Sequence, residues 1–144
     1  TLARKGLKQL FLANRSVDKI EILAGILKNK TGLQKSHVSG LVREDLTELV
    51  ARCRLVIYTL PFDLPQALDS FQNIGMHCIA KKHLYDLRYS PDPTKIMQLF
   101  KESGGRVFNG NGMLLHQATE TFKYFTGMEA PIQEMRKAMR TKQL

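Results

Sequence analysis

The stretch QLFLANRSVDKIEILAGILKN, residues 9–29, gives the first indication of the fold. It opens on a short apolar run (9–14) that a polar turn ends, which is typical of a buried β-strand. The following segment (16–29) has the spacing of an amphipathic helix, with Ser16 placed to cap its N-terminus. The apolar residues on one face of that helix are Ile20, Leu23, Ala24 and Leu27. The stretch therefore predicts one strand–helix unit.

The same alternation of short apolar runs and helical patterns continues along the chain. Further strands are predicted at 37–42, 54–60, 83–88 and 106–108. Further helices are predicted at 45–53, around 65–73, and at 92–105, 112–127 and 130–144. Short connections between alternating strands and helices indicate βαβ units, and hence an α/β fold with a parallel sheet covered by helices on both faces.

Composition indicates one globular domain over residues 1–144, with 43% hydrophobic and 24% charged residues. No apolar run has the length of a membrane span, so we expect no membrane association. Cys53 and Cys78 lack metal-site spacing, and the four histidines form no triad or metal pattern, so no metal site is predicted. Two isolated thiols fit a reducing compartment, and we expect a cytoplasmic protein.

The formal net charge of +9 is compatible with nucleic acid, acidic lipid or an anionic small molecule as the partner. The basic residues are spread along the chain and not interleaved with aromatic residues; only RKAMRTK near the end is locally dense. This distribution favours a solvated basic surface over nucleic-acid binding.

Ligands of parallel α/β sheets bind at the carboxyl ends of the strands, so the residues after each strand are the candidates for a site. These candidates are Asn14–Ser16, Thr59–Pro61, Tyr89 with Ser90, and residues 109–112. In dinucleotide-binding folds, an Arg after the second strand accommodates a 2′-phosphate, whereas a carboxylate there binds a 2′-hydroxyl. Asn14, Arg15 and Ser16 offer a guanidinium and no carboxylate; from spacing alone, however, an ordinary turn that caps the next helix is favoured over a phosphate site.

The stretch NGNGMLLHQ, residues 109–117, allows two interpretations. Its glycines suit backbone with positive φ or close approach of another group. Met113 and Gln117 follow one helical turn apart, on one face. The stretch is either a turn followed by a core helix, or a place where a ligand lies against bare backbone and Gln117 reaches it.

Together, FLANRS (11–16), RLVIYTLP (54–61) and the run from YDLRYSP (85–91) to Gly127 resemble the cofactor-binding half of shikimate dehydrogenase. The most specific part is 85–127, where Asp-x-x-Tyr-x-Pro precedes Asn-Gly-x-Gly-Met-Leu-x-x-Gln at the family's separation. The resemblance implies a Rossmann-like domain that binds NADP, in an enzyme that reversibly reduces 3-dehydroshikimate to shikimate.

The resemblance also implies roles for individual residues. Asn14, Arg15 and Ser16 would hold the 2′-phosphate of NADP, and Thr59 would lie in the loop that passes under the cofactor. Residues that match positions near the nicotinamide are Gly110 and Met113, and residues that match substrate contacts are Tyr89 (carboxylate) and Gln117 (hydroxyls). From the residues alone, a structural interpretation is favoured for three of them: core packing for Met113, a strand-end aromatic under a loop for Tyr89, and a cap on a neighbouring carbonyl for Gln117.

The chain departs from the family's pattern in three respects. The first strand with its Gly-rich phosphate loop and the substrate domain with its catalytic Lys and Asp are not in this sequence, so the resemblance implies a fragment truncated at its N-terminus, with no catalytic residue of its own. The family pattern Asn-x-Thr-Pro-x-Gly-Met reads here as Tyr58 to Leu64, with Asp63 in place of Gly. Asp86 is expected to be structural.

Two consequences and two alternatives follow. We expect strands 9–14, 54–59, 83–88 and 106–108 in one parallel sheet, with a gap beside 9–14 and 54–59 that a missing N-terminal half or a partner chain fills. The alternatives are a quinate/shikimate-type dehydrogenase whose substrate has drifted, and a non-catalytic Rossmann-like binding module.

Overall fold

The computed structural model describes residues 5–31, 33, 35–41, 43–74, 76–89 and 93–141. The strands are β1 (Gln9–Ala13), β2 (Lys35–Ser39), β3 (Leu55–Tyr58), β4 (His83–Asp86) and β5 (Arg106–Phe108). The helices are α1 (Val17–Thr31), α2 (Arg43–Arg52), α3 (Pro65–Ile74), α4 (Met76–Ile79), α5 (Lys95–Glu102), α6 (Asn111–Thr126) and α7 (Ile132–Thr141). The alternation of strands and helices confirms the predicted α/β class.

All strand pairs in the described residues are parallel, but they form two sheets. One sheet pairs β1 with β2, and the other has the order β3-β4-β5. The expectation of one parallel sheet with a gap is therefore correct for the parallel strands and the gap, but the gap divides the described strands into two separately hydrogen-bonded sheets. The interruption lies between β1 and β3, where the missing central strand was predicted to leave a gap.

The gap is an open cavity of about 970 Å³ between the two sheets, which we call the seam. Its lining includes the whole of β1, the whole of β3 and apolar residues of α2 and α3. Within the described residues, β1 pairs only with β2 and β3 pairs only with β4. One edge of each sheet therefore borders the seam without a neighbouring strand.

The main core lies on one face of the β3-β4-β5 sheet. It is built from α2, α3, α4 and α5 packed against Leu84, which is fully buried at the centre of β4. Phe71 of α3 meets Phe100 of α5 edge to face, with ring centroids 5.2 Å apart. Complete burial of a side chain such as Phe100 contributes about 1.5–3 kcal/mol. On the opposite face of the same sheet, Ile57 and Phe108 remain about half exposed.

The helix ends follow their local chemistry. Thr94 caps α5 by accepting the Met97 amide, so the helix begins at Lys95 and later than the predicted residue 92, which lies outside the described residues. Gly104, with φ of 78°, closes α5, and Gly127, with φ of 68°, caps α6. Both glycines adopt the left-handed conformation that residues with a Cβ avoid.

Several predicted bounds were displaced. Strand β2 covers Lys35–Ser39, earlier than the predicted 37–42, and its register with β1 pairs Gln9 with Lys35. Strand β3 ends at Tyr58, two residues before the predicted end. Helix α4 was not predicted. Residues 142–144 of the predicted last helix lie outside the described part of the chain.

The predicted apolar face of α1 is only partly confirmed. Ile20 and Ala24 are buried, whereas Leu23 is 43% exposed, because the helix packs on a two-stranded sheet that covers a narrow stripe of its surface.

Lys82 is buried, and its Nζ donates to the carbonyls of Ala51 and Cys53, at 2.9 and 2.7 Å, where α2 ends. Among the helices described, none combines the length and apolar character that a membrane span requires.

Candidate functional site

The carboxyl ends of β3, β4 and β5 form one continuous edge. The Leu87 amide after β4 donates to the carbonyl of Tyr58 at 3.0 Å. The Gly110 amide after β5 donates to the carbonyl of Arg88 at 2.8 Å. These bonds tie the three loops side by side, so the structure brings Thr59, Tyr89 and Gly110 to the same edge. Thr59 is exposed and the Tyr89 side chain is 54% exposed.

Of the two glycines in residues 109–112, the structure requires Gly110. Its φ is −72°, so the predicted alternative of a positive φ is wrong. A Cβ added there would lie 2.0 Å from the Leu87 carbonyl oxygen, which is the close approach that was the other alternative. The group that approaches Gly110 is thus backbone of the β4 loop. Gly112, in contrast, has open space around it.

Helix α6 begins at this edge. Asn109 accepts the Asn111 amide through its side chain at 3.2 Å, which shapes the turn before the helix. Met113 is half-buried, and Gln117 is exposed one turn further along α6. The helical spacing of the two residues was predicted correctly, and the exposure of Gln117 leaves its amide accessible.

The Asn14–Ser16 segment forms a turn at the end of β1. The Asn14 side chain accepts the Ser16 amide at 3.1 Å, and the Asn14 amide donates to the Ser39 carbonyl of β2. Helix α1 begins directly after Ser16. Arg15 lies exposed at this turn. The segment belongs to the β1-β2 sheet, so the seam separates it from Thr59, Tyr89 and Gly110.

A polar cluster that the sequence analysis did not find lies beneath the edge. Asp86, fully buried at the end of β4, accepts two hydrogen bonds from Arg88 Nε, one from Arg88 Nη2 and one from the Thr94 hydroxyl. Arg88 Nη2 also donates to Asp63 in the loop after β3, at 2.8 Å. These hydrogen bonds, chiefly those to Asp86, raise the pKa of Arg88 above its ordinary value. The structural role expected for Asp86 agrees with this cluster.

Tyr58 joins the same cluster from β3. Its hydroxyl donates to the Phe62 carbonyl and accepts the Leu64 amide, at 3.0 and 2.9 Å. The Arg88 guanidinium lies over its ring, 5.2 Å from the centroid. Burial raises the pKa of Tyr58, which keeps the hydroxyl protonated as a donor. The sequence carries part of this cluster as the pattern Asp-x-Arg, Asp86 and Arg88, at the end of a strand. That pattern does not indicate Asp63, which lies 25 residues before Arg88, as a second partner of the guanidinium.

Comparisons with known proteins show what the chain resembles. Residues 110–140 match the family model of the Shikimate 5'-dehydrogenase C-terminal domain. A shikimate dehydrogenase (NADP(+)) from Halothermothrix orenii is 31% identical over 129 residues, which is 89% of this chain and 45% of the relative. Over nearly its whole length, the chain is similar to shikimate dehydrogenases.

A solved structure and a quinate/shikimate dehydrogenase are also similar to the chain. The crystal structure of Mycobacterium tuberculosis shikimate dehydrogenase has a TM-score of 0.74 and 28% identity, and the match covers 97% of this chain and 50% of that one. A quinate/shikimate dehydrogenase (NAD(+)) from Corynebacterium glutamicum is 25% identical over 94% of this chain and 47% of the relative. The chain spans about half the length of the shikimate dehydrogenase relatives it matches, and its fold is the Rossmann-like one that was predicted.

Proposed function

We propose that the chain is the NADP-binding half of a shikimate dehydrogenase, which reversibly reduces 3-dehydroshikimate to shikimate. The observation that carries the proposal is the shared edge of three loops, in which Leu87 and Gly110 tie the matched motifs together through backbone hydrogen bonds. That edge is where α/β sheets bind nucleotides and their substrates. The NADP(+) named for the Halothermothrix orenii relative supports this choice of cofactor.

The turn at Asn14–Ser16 would hold the adenosine end of the cofactor. Its side chains fit a phosphate, because Arg15 is exposed and the Asn14–Ser16 hydrogen bond already fixes the turn around it. A guanidinium binds phosphate through two parallel hydrogen bonds and stays charged at any physiological pH. Arg15 is therefore the residue that would select NADP over NAD.

The edge itself would hold the reacting end of the cofactor and one wall of the substrate site. Thr59 would lie under the cofactor, Gly110 and Met113 beside its nicotinamide, and Tyr89 and Gln117 against the substrate carboxylate and hydroxyls. The exposed Tyr89 and Gln117 can donate hydrogen bonds outward from the edge. NADP supplies the hydride chemistry, and the residues of this chain orient it.

The acid–base group would come from a missing N-terminal half or a partner chain. Proton transfer to the substrate oxygen needs a group within hydrogen-bond reach. Lys82 is not available for this role, since its ammonium group is buried against two carbonyl oxygens. The same half would also supply the strand that fills the seam. The free thiols Cys53 and Cys78 fit the reducing cytoplasm as the location of the protein. The proposal includes neither nucleic acid nor a membrane as a partner.

A nucleotide titration tests the proposal directly. In the chain complexed with its N-terminal half, Arg15→Asp should weaken NADP binding by about one to two decades, because one charge-assisted phosphate contact contributes about 1.5–3 kcal/mol. Binding of NAD should change little, since NAD lacks the 2′-phosphate. Quenching or enhancement of nucleotide fluorescence measures both affinities.

Arg54→Asp is the matched control, because Arg54 is also exposed but lies at the opposite, amino end of β3. It changes the net charge by the same amount and should leave the NADP:NAD ratio unchanged. Equal losses for both nucleotides in Arg15→Asp would show that Arg15 does not discriminate between them. Binding of NADP without turnover of shikimate or quinate would favour a non-catalytic module.

A further inference from the structure

Asp63 is the residue at which the chain departs from the glycine of the family pattern. It lies in the loop between β3 and α3, residues 59–64, which also carries Thr59. The Asp63 side chain is 23% exposed, and its Oδ1 accepts from Arg88 Nη2 at 2.8 Å. The Asp63 carboxylate is thus paired with a cation of the next loop, which it shares with Asp86.

Arg88 is a rigid anchor for this contact. Its Nε and Nη2 grip the carboxylate of Asp86, which is fully buried and is also bonded to the Thr94 hydroxyl at 2.8 Å. The Arg88 side chain is itself only 12% exposed. A guanidinium fixed on a buried carboxylate loses little further freedom when it binds a second carboxylate.

The loop has a second tie on the other side of Asp63. The Tyr58 hydroxyl bonds the carbonyl of Phe62 and the amide of Leu64, the two residues that flank Asp63. Since the Arg88 guanidinium lies over the same Tyr58 ring, the two ties share one support. Loop 59–64 is therefore held at its backbone by Tyr58 and at its side chain by Arg88.

We propose that the Asp63–Arg88 ion pair is an interloop brace, which positions loop 59–64 for the cofactor by fixing it to the base of the loop that carries Tyr89. The inference rests on the proposed function for the identity of the ligand, and on geometry alone for the brace. Asp63 is a positioning residue, since it acts on the cofactor through the loop.

The brace and simple electrostatics predict opposite changes in NADP affinity when Asp63 loses its charge. NADP is an anion, so removal of a carboxylate near its site would by itself strengthen binding. Removal of the brace would weaken binding, because the cofactor would then have to order the loop. The Asp63→Asn variant separates these effects, since it keeps the shape of the side chain and removes its charge.

The experiment measures loop order and ligand affinity in the same variants. Hydrogen exchange of the amides in loop 59–64 should become about tenfold faster in Asp63→Asn, the size expected for loss of a charge-assisted bond. In the complex with the N-terminal half, the NADP dissociation constant should rise about three- to tenfold. The KM for shikimate at saturating NADP should not change, because Arg88, the neighbour of Tyr89 in the chain, remains bonded to Asp86.

Asp69→Asn is the control, because Asp69 is an exposed carboxylate on nearby α3 and the variant changes net charge equally. Asp63→Glu, which can still pair with Arg88, should restore part of the affinity. Unchanged loop exchange in Asp63→Asn, or NADP binding that is equal or tighter, would overturn the brace. Failure of the unsubstituted complex to bind NADP would instead refute the proposed function, while the exchange rates still decide whether the brace exists.

Discussion

Gly110 shows how a single residue without a side chain shapes the edge of the sheet. Its amide bonds Arg88, and its Cα faces the Leu87 carbonyl so closely that a Cβ has no room. The neighbouring loop, itself tied to Tyr58, cannot retreat without breaking its own hydrogen bond. The distance between the β4 and β5 loops therefore depends on glycine at this position.

Substitution of Gly110 by Ala should destabilise the chain. The added methyl group would force backbone to move, at a cost of about 1–3 kcal/mol. Urea unfolding followed by circular dichroism measures the change. Gly112→Ala is the matched control, because Gly112 lies in the same helical turn with nothing within 4 Å of an added Cβ, and it should be neutral or stabilising by up to about 1 kcal/mol. Equal effects of the two variants would contradict the close-approach explanation.

At the level of single residues, sequence reasoning found the positions at strand ends but not the bonds between them. The spacing of Met113 and Gln117 was readable because helical periodicity is local. The partner of Asp63 was not readable, because Arg88 is 25 residues away and the contact depends on the parallel register of β3 and β4. The roles of Asn14, Arg15, Ser16, Thr59, Tyr89, Gly110, Met113 and Gln117 toward ligands stay predictions.

Helix α5 links the secondary structure to the polar cluster. Its cap, Thr94, is fully buried, accepts the Met97 amide and donates to Asp86. One hydroxyl thus starts a helix and satisfies a buried carboxylate. The helix then delivers Ile96 and Phe100 to the main core.

Thr94→Val should cost about 2–4 kcal/mol in the free energy of unfolding. The variant keeps the shape of the side chain but loses the helix cap, worth about 1 kcal/mol, and leaves Asp86 with one acceptor site unmet, worth about 1–3 kcal/mol. Thr94→Ser, which retains the hydroxyl, should lose less than half as much. Thermal and urea unfolding measure both variants, and a Thr94→Val chain as stable as Thr94→Ser would show that the hydroxyl is dispensable.

At the level of elements, the order of strands and helices was predictable, whereas several ends were not. Apolar periodicity predicted each strand, yet β4 ends at Asp86, whose side chain accepts the Arg88 amide two residues further along the chain. Helix α4 is four residues long and too short to show a period. Side-chain bonds to backbone set these ends, and they depend on tertiary contacts that no local pattern contains.

For the whole molecule, the decisive feature is the seam between the two sheets. We expect the 144 residues alone not to turn over shikimate, because the acid–base group is proposed to come from elsewhere and, among the described residues, the seam leaves β1 and β3 without a common neighbouring strand. Addition of the N-terminal half, fused or as a separate chain, should restore turnover. Absorbance of reduced cofactor measures the reaction.

The control for this experiment is the N-terminal half alone, which should also be inactive because it lacks the edge. Full activity of the isolated chain would show that its catalytic groups have been misplaced. A complex that forms but stays inactive toward both shikimate and quinate would contradict the proposed substrate class.

The seam also governs how the chain behaves in concentrated solution. On the edges that face the seam, β1 and β3 present rows of backbone amides and carbonyls that pair with no strand among the described residues. Such exposed edges are templates on which a strand of another molecule can add, the usual first step of aggregation or domain swapping. The opening that would seat a complementary strand is thus also the place where copies of the chain would adhere to one another, so occupancy of the seam protects solubility as well as completing the fold.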